Sequence, residues 1–418
     1  MKVAIVSDYV TQGGAAIACN RLALALVARG AEVRRFALER GPRPAMLPFA
    51  PEPYGRRAAA IIELSAAFNL KKSSSFLRMR EVQKRVLRSI TEWHPDIINV
   101  HNLHAFSAGF FLVPQLAQIA PLVWTLHDMW SFTGRCAYND DCRQFEAGCT
   151  ASCPTAAEYP ALSNAKVASE WERRACFFRS TSKMAAVSPS HWLAAEARRG
   201  LWRHARVEVV PNSLDLGVYR PIDRKIARTA LGLPASHRPH VLIAADYLHE
   251  RRKGGPLVFP ALAACQRDIT LLTLGHQAPV DLPPNVQCFH LGYVADDRAK
   301  ALAYSAADLL MHPAPTDNLP NTVLESIACG TPVIAFRTGG LPEMVRPCIT
   351  GWLVESIDAG HLGEALSRVL AEMGNDPLPR KGIRAFAEAN YATSSQASAY
   401  LGLFDSLCAA GFGGQAHA

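Results

Sequence analysis

Short apolar runs alternate with amphipathic stretches along the chain. VAIVSDY, PDIINVHN, PLVWTLHDMW, VEVVPN, HVLIAAD, ITLLTLGH, VQCFHLGYV, SAADLLMHPAP and PVIAF are brief, rich in Val, Ile and Leu, and bounded by turn residues. Such runs predict strands buried on both faces of a parallel sheet. Between them TQGGAAIACNRLALALVARG predicts a tight Gly13-Gly14 turn and a helix that stops at Gly30, and AAVSPSHWLAAEARR predicts strand, turn and helix. The stretch from His312 to Val345 predicts loop, helix, strand, loop and helix. Pro320 suits the first helical turn, Val323, Leu324 and Ile327 form its apolar face, Gly330 ends it, and Gly339-Gly340 opens the next turn. From about Tyr391 the segment TSSQASAYLGLFDSL predicts a last helix. Strands alternating with helices predict an α/β chain with doubly wound sheets.

Two stretches depart from this alternation. Residues 41–56 are proline-rich and predict an irregular loop. In the next segment Met79, Val82, Val86 and Ile90 recur at helical spacing, while Lys71, Lys72, Arg78, Arg80, Lys84, Arg85 and Arg88 crowd the remaining positions against Glu81. A basic amphipathic helix of this kind suits an anionic membrane surface, and equally suits a packed helix with a solvated face.

At 418 residues the chain is long enough for two domains, each with its own core. A hydrophobic content of 49% with 19% charge is ordinary for a globular protein, and no apolar run has the length of a membrane span. MKVAIVSDYV reads as a first strand rather than a signal peptide, which makes cytoplasm the expected compartment. Eleven cysteines fit that compartment if they are reduced or metal-bound. Charge is unevenly placed: residues 1–212 hold 27 Lys and Arg against 17 Asp and Glu, and the rest hold 17 against 19. A basic half predicts an anionic partner, but no nucleic-acid-binding module is recognisable. The fingerprint G-x-G-x-x-G is absent, which disfavours a dinucleotide.

Candidate chemistry collects at loop-to-helix junctions. A helix opening near Asn321 and Thr322 offers backbone N–H groups and a positive dipole end to a phosphate. Glu325 falls one turn beyond Asn321 on the same face, so its carboxylate is expected to point along a ligand rather than into the core, and Asp317 lies eight residues earlier on the entering loop. His127 and Asp128 follow a strand, where open sheets bind ligands. Cys136, Cys142, Cys149 and Cys153 lie within eighteen positions, close enough in sequence for four thiolates around one tetrahedral zinc, the alternative being plain reduced thiols.

The run DNLPNTVLESIACGTPVIAFRTGGLPEMV resembles the signature of the retaining glycosyltransferases of family four, which have the GT-B fold. The family pattern is usually Glu, seven residues, Glu; here the first position is Asp317 and the second Glu325. The resemblance implies two Rossmann-like domains facing a cleft. An acceptor-side domain would span residues 1–212, a nucleotide-sugar-binding domain 213–390, and a C-terminal helix within 391–418 would cross back to the first domain. It implies that Glu325 holds the ribose hydroxyls, that Asp317 and His127 sit by the donor sugar, and that Gly13-Gly14 approaches the donor phosphate and the acceptor. Asn318, Leu319, Asn321 and Thr322 would line the donor, and backbone near Tyr293-Val294 would hold the base. Lys253-Gly254 matches a family Lys-Gly whose charge neutralises the diphosphate. The family Arg before it has no match in register, which leaves Arg251 or Arg252 as substitutes.

HDMWSFTGRCAY with the cysteines after it is similar to a subgroup that builds colanic-acid-like and other bacterial exopolysaccharides, although that subgroup usually spaces its last two cysteines more closely. The implied function is transfer of a hexose, with retention and without a metal at the chemistry, from a UDP- or GDP-sugar to a growing, lipid-linked glycan at the inner face of the membrane. The competing readings are a GT-B nucleotide-sugar epimerase and a non-catalytic sugar-nucleotide-binding member of an assembly complex.

Overall fold

The computed structural model describes residues 1–10, 13–37, 76–104, 109–181, 183–247, 250–375 and 378–412, and only the backbone of 76–82, 375 and 410–412. The proline-rich stretch 41–56, with Lys71 and Lys72, lies outside the described residues. The chain forms two units: Met1–Ser213 with Thr393–Ala418, and Leu214–Ala392.

In the first unit the apolar runs become parallel strands β1 (Lys2–Ser7), β2 (Glu32–Ala37), β3 (Ile97–Val100), β4 (Leu122–Thr125), β5 (Met184–Ser188) and β6 (Arg206–Val209), in the order β2-β1-β3-β4-β5-β6. The register sets Val3 beside Ile97 and Ile98 beside Leu122. Helix α1 (Gly14–Ala28) follows β1 and ends before Gly30, whose φ of 88° needs glycine. β2 was not foreseen, because Glu32, Arg34 and Arg35 interrupt its apolar pattern.

Helix α2 (Phe76–Trp93) buries Val86, Ile90 and Trp93 in the core under the sheet and leaves Lys84, Arg85 and Arg88 exposed. Each such buried side chain contributes roughly 1.5–3 kcal/mol, so packing holds this helix whatever its basic face does. Helix α3 (Asn164–Ser180) packs Phe177 into the same core. On the opposite sheet face α1 is joined by the last helix, α5 (Thr393–Phe412). Its Ala397, Tyr400, Leu403 and Phe404 pack with Leu22, Leu26, Val3, Ile5 and Val123. The C-terminal helix thus belongs to the first unit.

The second unit has parallel strands β7 (His240–Ala244), β8 (Ile269–Leu274), β9 (Val286–His290), β10 (Leu309–His312), β11 (Val333–Phe336) and β12 (Gly351–Val354), in the order β12-β11-β10-β7-β8-β9. Strand order reverses between β7 and β10, which pair at Leu309 and Val241. A ligand site lies outside the carboxyl ends of strands at such a reversal. The corresponding reversal in the first unit falls between β1 and β3. Helix α4 (Asn321–Ala328) buries Val323, Leu324 and Ile327 completely. Pro320 stands one position earlier than expected: it is the N-cap, with ψ 130°, rather than part of the first turn.

Candidate functional site

In the second unit the loops after β7 and β10 meet at the strand reversal. Lys253 Nζ donates to Asp317 Oδ2 at 2.8 Å, and His312 Nε2 lies 3.6 Å from the same oxygen. Backbone geometry forces this approach. Gly254 has φ 78°, and a Cβ there would fall 1.9 Å from the Pro313 carbonyl oxygen. Gly339, with φ 57°, would set a Cβ 2.1 Å from the Asp317 carbonyl, which accepts from Gly340 N at 3.0 Å. Two glycines therefore clamp the Asp317 loop between the Lys253 turn and the turn after β11. Burial pushes the Asp317 carboxyl up. The Lys253 charge, helped by His312 and Arg252, outweighs this and holds it well below the usual carboxylate range.

Asn318 and Leu319 are buried beside Asp317, and Asn318 N donates to Asp317 Oδ1 at 2.9 Å. Asn321 and Thr322 open α4 half-buried, and Pro320 brings no capping side chain. Positive partial charge at the start of α4 thus adds to the Lys253 ammonium on the same loop system. Arg252 turns to Glu250, with Nε 3.0 Å from Oε1, and Arg251 is exposed. Glu325 departs from the expectation of a carboxylate clear of the core. It is 4% exposed, and Tyr304 Oη donates to its Oε2 at 3.0 Å. Tyr304 lies 21 residues earlier, and no periodicity signals the pair. Tyr293 is exposed and stacks on His276 with ring centroids 4.3 Å apart, and Tyr247 also stacks on His276, at 5.2 Å.

In the first unit Gly13, with φ 83°, is the N-cap of α1, and Gly14 begins that helix. His127, just beyond β4, ends a hydrogen-bonded chain that crosses the sheet interior. Tyr400 Oη and Thr125 Oγ1 are 2.9 Å apart, and Asn99 Nδ2 donates to Thr125 Oγ1 and to the Val123 carbonyl, both at 3.0 Å. The Asn99 carboxamide oxygen is thereby turned to His101 Nε2 at 2.9 Å, and His101 Nδ1 faces His127 Nε2 at 2.8 Å. An amide oxygen only accepts, so His101 donates from Nε2 and accepts at Nδ1, and His127 carries its proton on Nε2. Burial keeps both rings neutral: His101, also beside His127 and Arg35, falls well below its ordinary value, and His127 falls to about 4 although Asp128 opposes the shift.

Asp128 accepts from Trp130 N at 2.9 Å and contacts His104 Nε2 at 2.9 Å. Burial raises the Asp128 carboxyl, but His104 and the Trp130 amide bring it down overall. Asn99 and His101 were missed as functional candidates. Their signal was present: two polar residues at strand spacing at the end of an otherwise apolar run.

Cys136, Cys142, Cys149 and Cys153 line one cavity, together with Arg135, Gln144, Phe145, Thr155 and Val167. All eleven cysteines are free thiols. Burial pushes the Cys136 thiol up to about 11 and the Cys149 thiol to about 12. As they stand the four thiols do not form a metal-holding set, nor does any group of three or more His, Cys, Asp and Glu among the described residues. No helix among them is long and apolar enough to cross a membrane.

A family model described as Glycosyltransferase Family 4 matches residues 12–218, and one described as Glycosyl transferases group 1 matches residues 238–372. The chain is 26% identical over 291 residues to a putative colanic acid biosynthesis glycosyl transferase, WcaC, of Escherichia coli, across 67% of this chain and 69% of that protein. It is 35% identical over 198 residues to a D-inositol 3-phosphate glycosyltransferase of Mycobacterium bovis, across 42% of this chain but only 39% of that one. In fold it is similar to a sucrose-phosphate synthase from Thermosynechococcus elongatus (TM-score 0.70, 22% identity, 98% and 100% of the two chains). It is likewise similar to HepE of Anabaena in complex with UDP-glucose (TM-score 0.69, 16% identity, 97% and 100%). The two Rossmann-like units are those of the GT-B fold.

Proposed function

We infer, the chain being a glycosyltransferase of family four, that it moves a hexose from a UDP- or GDP-sugar to a growing, lipid-linked bacterial polysaccharide, with retention at the anomeric carbon. The observation that carries this reading is the Lys253–Asp317 pair at the strand reversal of the second unit, beside the start of α4. A diphosphate bound there meets an ammonium and a helix N-terminus, which together stabilise the charge that grows as the sugar leaves. A phosphate oxygen of the departing group takes the proton of the acceptor hydroxyl on the face it has just left, which retains the configuration. Glu325 holds the ribose hydroxyls. Asp317 stays ionised beside the sugar, and His127 meets a sugar hydroxyl with a neutral imidazole. No step needs a metal.

The polysaccharide acceptor is supported by the likeness to a colanic acid biosynthesis enzyme, and the UDP-sugar donor by the likeness to HepE, which binds UDP-glucose. The exposed Lys84, Arg85 and Arg88 of α2 supply a face for an anionic membrane, where a lipid-linked acceptor resides.

The test is mass spectrometry of the purified protein with a panel of UDP- and GDP-sugars, with and without a lipid extract. A product longer by one hexose, formed only with the extract, is expected. Free sugar or an epimerised donor without any acceptor overturns transfer in favour of a nucleotide-sugar epimerase or hydrolase. Tight nucleotide binding with no turnover in either arm overturns it in favour of a binding subunit.

A further inference from the structure

We propose that Cys136, Cys142, Cys149 and Cys153 bind one zinc ion as a structural site with four sulfur ligands. The proposal is independent of the sugar chemistry. Three observations lead to it.

The first is convergence. Cysteines drawn from four points of an eighteen-residue stretch line a single cavity, and none of the other seven joins them. Between Thr133 and Ser163 the regular structure is one short turn of helix, Gln144–Glu146. A segment this long without strand or helix inside a packed unit needs another source of order. Its one large apolar anchor is Phe145, which is 1% exposed.

The second is the surroundings of sulfur. Gly134 N donates to Cys149 Sγ at 3.2 Å. A Cβ on Gly134 would fall 2.8 Å from Val167 and 2.9 Å from Cys149, so only glycine brings its amide this close to the sulfur. Amide donors to sulfur are the outer-shell support that anionic thiolate ligands require.

The third is charge. Arg135, 3% exposed, lines the cavity, with its guanidinium bonded to the Thr155 and Pro160 carbonyls. Arg174, 2% exposed, lies within electrostatic range of Cys149, although it also pairs with Glu170. Four thiols and one Zn²⁺ give a tetrathiolate complex of charge 2− and release four protons. The buried Arg135 guanidinium is a counter-charge such a complex needs in a low-dielectric interior, while Arg174 shares its charge with Glu170. An all-sulfur set selects zinc over magnesium or calcium, and its four ligands leave no open position for a catalytic water. Because the thiols are not gathered into a metal-holding set as they stand, binding draws the loop in around the ion.

The experiment is elemental analysis of the full chain purified without chelator, combined with alkylation and peptide mass mapping. Zinc near one equivalent per chain is expected. The four cysteines should resist alkylation until a chelator or organomercurial removes the metal, while exposed Cys176 and Cys348 react at once. Cys149→Ser should lose the zinc and Cys348→Ser should keep it. Should Cys149→Ser fail to fold, stoichiometry and the protection pattern of the unaltered chain still decide. Zinc far below one equivalent with all four thiols freely alkylated overturns the proposal. So does a mass lower by about 2 Da per pair, the mark of disulfides, and so does iron in place of zinc.

Discussion

His101 Nδ1 stands 2.8 Å from His127 Nε2, and the amide of Asn99 decides which ring donates. A polar line starting at Tyr400 therefore sets the proton of His127 on Nε2 and makes its Nδ1 the acceptor nitrogen.

The depressed pKa of His127 makes stability depend on pH. His127 falls from 6.5 to about 4 on folding, so the unfolded chain binds more protons in between. Its contribution to stability is complete above about 6.5 and is lost as pH falls toward about 4. Imidazole NMR should find the Nε2–H tautomer unchanged from pH 7.5 down to 5.5. Asn99→Leu, which removes the acceptor, or His101→Phe should alter it. An inflection near 6.5 in the wild type would contradict the assignment.

Lys253 and Asp317 should behave as one unit. Lys253→Met leaves a buried carboxylate short of its counter-ion, at a cost of about 1–3 kcal/mol. Adding Asp317→Asn should recover part of that loss, with a coupling of about 0.5–3 kcal/mol in a double-mutant cycle by denaturant unfolding. Strictly additive losses would mean that the pair is not coupled. At saturating donor, Lys253→Met should also slow turnover by about 10²–10³-fold, the range for removing a group that stabilises developing negative charge.

Glu325→Ala should weaken nucleotide binding by about ten- to a hundredfold in calorimetry, the worth of a hydrogen bond to a charged group. Tyr304→Phe should act mainly on stability, because its hydroxyl donates to the buried Oε2 and so holds the carboxylate in place. Equal affinity losses for the two variants would place Tyr304 at the nucleotide itself.

Gly339→Ala and Gly254→Ala remove no charge and no side-chain hydrogen bond. Each nevertheless sets a methyl against a carbonyl, at 2.1 Å and 1.9 Å, from a backbone with positive φ. Each should cost at least about 1–3 kcal/mol and depress activity by moving the Lys253 and Asp317 loops apart. Thermal unfolding beside an activity assay reads both, and wild-type stability in either variant would show that the loops are not clamped there.

Strands buried on both faces were legible because they leave uninterrupted apolar runs, as in HVLIA of β7 and VIAF of β11. β2 was not, since Arg34 and Arg35 are charged although Arg35 is buried and bonded to Ser7 Oγ. The acidic and basic residues of the second unit could be picked out one at a time. Their pairing could not, because Lys253 and Asp317 are 64 positions apart and only the crossing of two loops joins them. For the same reason the Glu325 carboxylate was expected in the open: helical periodicity gives its face but not Tyr304 beneath it. The line from Tyr400 to His127 spans 275 positions at its first step, beyond any local pattern.

The return of the last helix to the first unit bears on synthesis. A nascent chain that has reached Ala392 holds every strand of both sheets, but it lacks Tyr400, Leu403 and Phe404, which cover one face of the first. The second unit, begun later, has all its residues earlier. On the ribosome the order of completion is then the reverse of the order of translation, and the first sheet waits with Val3, Ile5 and Val123 partly uncovered until the final helix emerges.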